Sequence, residues 1–391
     1  MRQLILICLL SLFASADIAS AGEVAAWGGN QQGQTDAPDG DDFVKVSCGY
    51  WFSIALRNDG TVAFWGLNNS GQGDVPSGEA YSDISAGHSY VMAVRTDGTL
   101  DGWGYNGGGQ LDHPAGTDFV AVSSGDSHAL ALQSDGTVSA WGDNGEGQCD
   151  VPEGLVASAI AAGKQFSIAL QTDGSLVGWG NDTVGQASPP TGTDYVAVAA
   201  GEVYGLALKS DGTLVAWGSN SHGQGDVPEG DAFIAIACGR KFALAIDSTT
   251  RIWAWGLDAN GQTSDVPTGT GYTHIAGSGY HAAAVGPVDC NGNGIPDDTD
   301  IAGGTSVDAN PEDGIPDECQ GATTGACCLP LGDCVKATED DCLAGDGVWS
   351  EPGTTCEDLG CTPVCIGDTD GSGYVDIKDL LLIISAWGGC P

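Results

Sequence analysis

Near the C-terminus, two stretches space oxygen-bearing side chains as a calcium loop does. In "DTDGSGYVDIKD", Asp368, Asp370, Ser372, the Tyr374 carbonyl, Asp376 and Asp379 fall at loop positions 1, 3, 5, 7, 9 and 12. Gly373 takes the sixth position, where the sharp turn calls for glycine. Oxygens at that spacing wrap a hard cation, so calcium is the expected cofactor, and "IKDLLLIISAW" is the expected exiting helix. In "DCNGNGIPDDTD", Asp289, Asn291, Asn293, the Ile295 carbonyl, Asp297 and Asp300 repeat the register around Gly294. A later echo, "DANPEDGIPDEC", carries one extra residue before Asp313-Gly314. An acidic linker without fixed structure is the plainer account of these last two segments.

A second set of chemically capable residues follows a recurring glycine. After Gly49, Gly87, Gly125, Gly163, Gly201, Gly239 and Gly277, the next two residues differ every time. They read Tyr50-Trp51, His88-Ser89, Asp126-Ser127, Lys164-Gln165, Glu202-Val203, Arg240-Lys241 and Ser278-Gly279. The third residue returns to a pattern: Phe52, Tyr90, His128, Phe166, Tyr204, Phe242 and Tyr280, which suits a core slot or a ring lining. Aromatic and basic side chains gathered on a rigid platform are what a protein-binding hot spot uses. Tyr50, Trp51, His88, Asp126, Lys164, Glu202, Arg240 and Lys241 therefore form the expected binding face. A varied, solvated loop set is the competing account.

No glycine-rich phosphate loop, no G-x-S-x-G and no His-x-x-x-His metal pair occurs. Asp126, Glu202 and His88 could do acid–base work only if the fold brought them together. A non-enzymatic binding protein is the leading reading, and an enzyme on polysaccharide is its rival.

The elements that must position these residues are read from the repeat. Trp-Gly occurs at Trp27, Trp65, Trp103, Trp141, Trp179, Trp217 and Trp255, always 38 residues apart. Gly-Gln follows each, ending at Gln34, Gln72, Gln110, Gln148, Gln186, Gln224 and Gln262. Such a period announces a solenoid or a propeller. Within one unit, "FVAVSSG", "HALALQ" and "TVSAWG" alternate as strands, and "SDG" is a tight turn. No stretch of the repeat shows helical periodicity. The repeated region begins with a lone third strand, "EVAAWG", and finishes with two first strands, "HIAGSGYHAAAV". Joining these completes a seventh blade and removes exposed sheet edges. The expected fold is an all-β, seven-bladed β-propeller closed by the N-terminal strand, followed by a small Cys-rich, calcium-binding tail. The invariant Trp-Gly and Gly-Gln are then scaffold, since a site needs distinct residues converging once. Two units depart from the pattern: "DSTTR" replaces the Asp-Gly turn in the sixth, and the last loop moves its proline by one, to Pro267.

Composition sets the context. Residues 1–21 carry a basic start, an apolar run from Leu4 to Ala14 and a small-residue cleavage site, the form of an export signal rather than a membrane span. Of 14 Cys, ten crowd into 290–390, which in an exported chain reads as disulfides, with thiolate metal binding as the alternative. The net charge of −41 disfavours nucleic acid and anionic membranes. The expected organisation is a signal over 1–21, a propeller over 22–286, an acidic calcium segment over 287–320, a disulfide module over 321–364 and a calcium unit over 365–391. A secreted or cell-surface location in a bacterium is expected, with an extracellular protein or glycan as partner.

The unit WG-x-N-x-x-GQ-x-D-V-P, preceded by AG-x-x-x-x-x-AL-x-x-DGT, resembles the regulator of chromosome condensation repeat over 22–286. The 38-residue period is most similar to the secreted branch typified by beta-lactamase inhibitory protein II. That resemblance implies a partner met by loops on one face. Guanine nucleotide exchange, known for eukaryotic members, fits poorly with export and the acidic charge. The loop at 368–379, with Asp at position 12, resembles a dockerin repeat, which implies a cohesin-like or cell-surface partner. The loop at 289–300 resembles thrombospondin type 3 calcium repeats.

Overall fold

The computed structural model describes residues 22–230 and 232–287, and in the tail the backbone of three short strands. The chain divides into two compact units, Met1–Asp289 and Cys290–Pro391. In the second, β22 (Thr324–Cys328), β23 (Cys334–Thr338) and β24 (Val348–Trp349) form an antiparallel sheet in the order β23-β22-β24. The expected calcium loops at 289–300 and 368–379, the expected export signal over 1–21 and the expected disulfides of the tail lie outside the described residues.

The first unit holds seven three-stranded antiparallel sheets. The first is β2 (Phe43–Cys48), β3 (Phe52–Arg57) and β4 (Val62–Gly66), and five more follow at the repeat interval. In the seventh, β20 (His274–Ser278) and β21 (His281–Gly286) are joined by β1 (Glu23–Gly28), with Glu23 opposite Gly286 and Gly28 opposite His281. The first strand of each blade lies against that of the next, and β20 returns to β2. The structure is a seven-bladed β-propeller with the N-terminal strand in its last blade.

Packing between blades explains the invariant residues. Each tryptophan donates its indole N–H to the carbonyl of the glutamine one blade back, as in Trp65 Nε1 to Gln34 O at 2.9 Å and Trp141 to Gln110 O at 2.8 Å. Trp27 reaches Gln262 O at 3.0 Å, which closes the ring. The glutamines are buried, and each Oε1 accepts a backbone N–H two residues before it, holding its own loop. Phe52, Tyr90, His128, Phe166, Tyr204 and Phe242 are fully buried between blades. These repeated residues form one scaffold.

The glycine after each tryptophan is required by its backbone. Gly66 has φ of +96°, and a Cβ there would lie 2.7 Å from the Trp51 carbonyl oxygen and 2.8 Å from Phe52 Cα. Gly66→Ala is expected to cost about 2 kcal/mol or more, read as a fall in the thermal midpoint. The sixth blade departs at its hairpin, where Thr250 takes a φ of +65°. Asp247 compensates by accepting the Thr249 and Arg251 backbone N–H groups and the Thr249 hydroxyl.

The seventh blade corrects one expectation. Tyr280 does not take the buried aromatic slot; His281 does, lying opposite Gly28 as Phe52 lies opposite Gly66. The cause is one extra residue between Gln262 and Asp265. The Asp265 N–H reaches back to Gly261 O, whereas Asp226 reaches Gly223 O in the preceding loop. Everything after the insertion moves by one, so Ser278 matches Gly49, and the variable pair is Gly279-Tyr280.

Candidate functional site

The turn between the first and second strands of every blade faces one end of the propeller, and its first variable residue points to the axis. A cavity of about 230 Å³ there is lined by all seven blades, through Tyr50, His88, Asp126, Lys164, Glu202, Arg240 and Gly279. With the seventh pair read as Gly279-Tyr280, none of the second variable residues lines it. Sequence alone grouped Trp51 and Lys241 with the axial residues, and the fold separates them onto the outer rim. Trp51 is half-buried there against Tyr280, with ring centres 5.3 Å apart.

The axial ring has two halves. Over blades three to six its charges alternate in sign: Asp126, Lys164, Glu202, Arg240. Glu202 Oε1 accepts from Lys164 Nζ at 3.1 Å and from Arg240 Nη2 at 2.6 Å. Burial pushes the Glu202 carboxyl up, but those two cations outweigh it and hold the group below its usual range. Its second oxygen, Oε2, is buried and has no hydrogen-bond partner. The backbone stitches the same blades, with Lys164 N–H donating to Glu202 O and Glu202 N–H to Arg240 O.

The other half is aromatic. Arg240 Nη1 donates to Tyr50 Oη at 2.7 Å, and the guanidinium lies 5.4 Å from the Tyr50 ring centre. Tyr50 stacks on His88 with ring centres 4.3 Å apart, and meets Trp51 and Tyr280 edge-on. Tyr280 is thus a rim residue that period-counting misplaced, and the displaced Pro267 was the signal for it. Tyr105, half-exposed, was not singled out; it lines a side cleft with Ser70, His88, Ser89, Asp126 and Ser127.

Asp126 stands apart. It lines both the axial cavity and the side cleft, and it makes no hydrogen bond or ion pair. Burial pushes its carboxyl up, against the opposing pull of His88, Lys164 and Arg240. The fold therefore does gather Asp126, Glu202 and His88 at one cavity. Glu202, however, is engaged twice as a counter-ion, which suits holding cations in place rather than shuttling protons. Among the described residues no three His, Cys, Asp or Glu side chains converge on a metal-sized site.

Comparison with known proteins bears on the fold. The regulator of chromosome condensation (RCC1) repeat pattern matches residues 43–72, 119–148, 157–186, 195–224 and 233–262. Human WBSCR16 is similar at 17% identity and a TM-score of 0.59, over 68% of this chain and 99% of its own. Prp20p from Saccharomyces cerevisiae, described with its binding to Gsp1p and histones, gives 16% identity and a TM-score of 0.59, over 69% and 93%. The ectodomain of the Physcomitrella patens receptor kinase CR4 gives 20% identity and 0.53, over 63% and 71%. No curated protein matches the sequence. Residues 22–287 thus form a seven-bladed β-propeller, closed by Trp27 on Gln262, in which five units carry the regulator of chromosome condensation repeat.

Proposed function

We propose that the protein is a non-enzymatic binding scaffold whose axial cavity and aromatic rim recognise a protein partner. One observation carries this reading: at the slot that lines a cavity shared by all seven blades, the units disagree in charge and shape. The repeated scaffold supplies rigidity, and the unlike residues at the cavity supply specificity. Prp20p, which shares the fold, is described as binding Gsp1p and histones, and this makes partner recognition a natural use of such a propeller.

The finer features belong to the same proposal. The 1–21 segment directs export, and the 38-residue period of the propeller resembles that of the secreted beta-lactamase inhibitory branch. The loops at 289–300 and 368–379 bind calcium, and the tail attaches the protein to a cohesin-like or cell-surface partner. Half-exposed aromatics beside an unpaired carboxylate also suit a glycan, which is the second reading.

The test uses the full chain as bait on secreted and surface fractions of the source organism, beside a Trp51→Ala, Tyr280→Ala, Lys241→Ala variant. These outer residues do not hold the Lys164–Glu202–Arg240 bridge, so the variant keeps the ring intact. A partner bound by the first bait should lose at least about tenfold in affinity for the second, about 1.4 kcal/mol or more. Equal capture by both baits sinks the reading.

A further inference from the structure

The hydrogen-bonding state of the axial ring indicates what is missing from it. Its cations already have partners: Lys164 bonds Glu202, and Arg240 bonds both Glu202 and Tyr50. Its carboxylates keep free acceptors. Asp126 opens on the cavity without a hydrogen bond, and Glu202 Oε2 has no partner. Asp126 is half-buried, and its carboxylate is free to accept from a ligand in the cavity. Nothing in the scaffold requires it, since the equivalent slot carries Tyr50 or Gly279 in other blades without loss of the fold. A ligand that pairs with it would bring donors and positive charge.

The surroundings narrow the ligand further. Asp126 shares its two cavities with His88, and His88 carries the stacked Tyr50 ring. Trp51 and Tyr280 continue that apolar wall to the rim. A charged head for Asp126 and an apolar stem for the aromatic wall describe a long basic side chain. The net charge of −41 would steer such a partner inward.

We propose that the axial cavity receives a lysine or arginine side chain of the partner protein, seated on Asp126 and flanked by Tyr50, Trp51 and Tyr280. This rests on the reading of the rim as a protein-recognition face, and it names the anchor that face takes. Asp126 has no partner to lose, so Asp126→Asn keeps the shape of the site while removing its charge.

The experiment selects a random dodecapeptide phage library on the immobilised full chain, then measures synthetic winners by fluorescence anisotropy. Winners are expected to share a basic residue. Replacing it by citrulline or glutamine, or the protein's Asp126 by Asn, should each weaken binding at least about tenfold. Thermal unfolding should show Asp126→Asn to be no less stable than the parent, since burial disfavours the charged carboxylate. Winners that need Trp51 but not a basic residue, that share an acidic residue instead, or that bind Asp126→Asn undiminished overturn the anchor and leave the recognition face standing. If no peptide depends on Trp51, and immobilised oligosaccharides bind in a Trp51-dependent way, both proposals fall together.

Discussion

A chain lacking residues 23–28 is expected to fail to form a stable monomeric propeller. Those residues are β1, the only strand that ties the start of the described chain to its last blade. Removing them strips six paired positions from β21, withdraws Trp27 from the core between the sixth and seventh blades, and breaks its bond to Gln262. Truncating a buried tryptophan alone costs about 3–5 kcal/mol. Loss of the strand adds the unpaired backbone of β21, an open edge that invites aggregation. The sum reaches the whole margin of about 5–15 kcal/mol that keeps a domain folded. Size-exclusion chromatography and thermal unfolding read the outcome: aggregated material or a broad, early transition. A synthetic peptide spanning 22–29, added in trans, should restore a sharp transition by strand addition. A truncated chain that melts as the parent does would show that closure contributes little.

Acidification from pH 7 towards pH 4 is expected to destabilise the propeller by several kcal/mol, through three histidines. His128 and His281 fill the buried inter-blade slot, and burial pulls each imidazole down to about 4. His274, beside Lys45, is pulled down to about 3 by burial and by that ammonium. Their bonding shows why protonation is opposed. Ser167 donates its one hydroxyl hydrogen to Gln148 O at 2.8 Å, so His128 Nε2–H must be the donor in its 3.0 Å bond to Ser167. Ser53, His281 and Gln34 repeat the arrangement. In both histidines Nδ1 is buried without a hydrogen-bond partner, and at His281 burial outweighs the Phe52 backbone, which favours the charged ring.

The sign follows from the direction of these shifts. Between pH 6.5 and about 4 the unfolded chain binds protons that the folded chain refuses, so stability falls as pH falls. Each of His128 and His281 accounts for roughly 3 kcal/mol across that window, at about 1.4 kcal/mol per pH unit. Relief of self-repulsion as carboxylates protonate works in the opposite direction. The double variant His128→Phe, His281→Phe separates the two, because Phe52, Phe166 and Phe242 fill the same slot in other blades. Urea midpoints at pH 7, 5.5 and 4.5 should fall more steeply for the parent than for the variant. Parallel slopes would remove the histidines from the account.

The architecture was legible in the amino-acid order because its causes are local. Period-2 alternation sets a strand within six residues, Asp-Gly sets a hairpin, and the 38-residue recurrence of Trp, Gln and Gly makes every blade the same brick. Ring closure followed from two incomplete ends that need each other. The variable slots could also be found by subtraction, since a residue that differs at a repeated position is free of scaffold duty.

Side-chain direction and partnership were not legible, because they arise between residues a full repeat apart. Which of Tyr50 and Trp51 faces the axis depends on the turn joining two strands, and the one-dimensional order does not distinguish them. That Glu202 bridges Lys164 and Arg240 while Asp126 remains alone depends on the reach of side chains across blade boundaries. In the seventh blade a single inserted residue shifted every later assignment, and strand pairing, not counting, showed that His281 is the buried ring and Tyr280 the half-buried one at the rim. A repeated sequence dictates the brick through contacts each unit makes with itself and its neighbour. The site comes from seven unlike residues meeting on one axis, and that meeting exists only once the ring has closed.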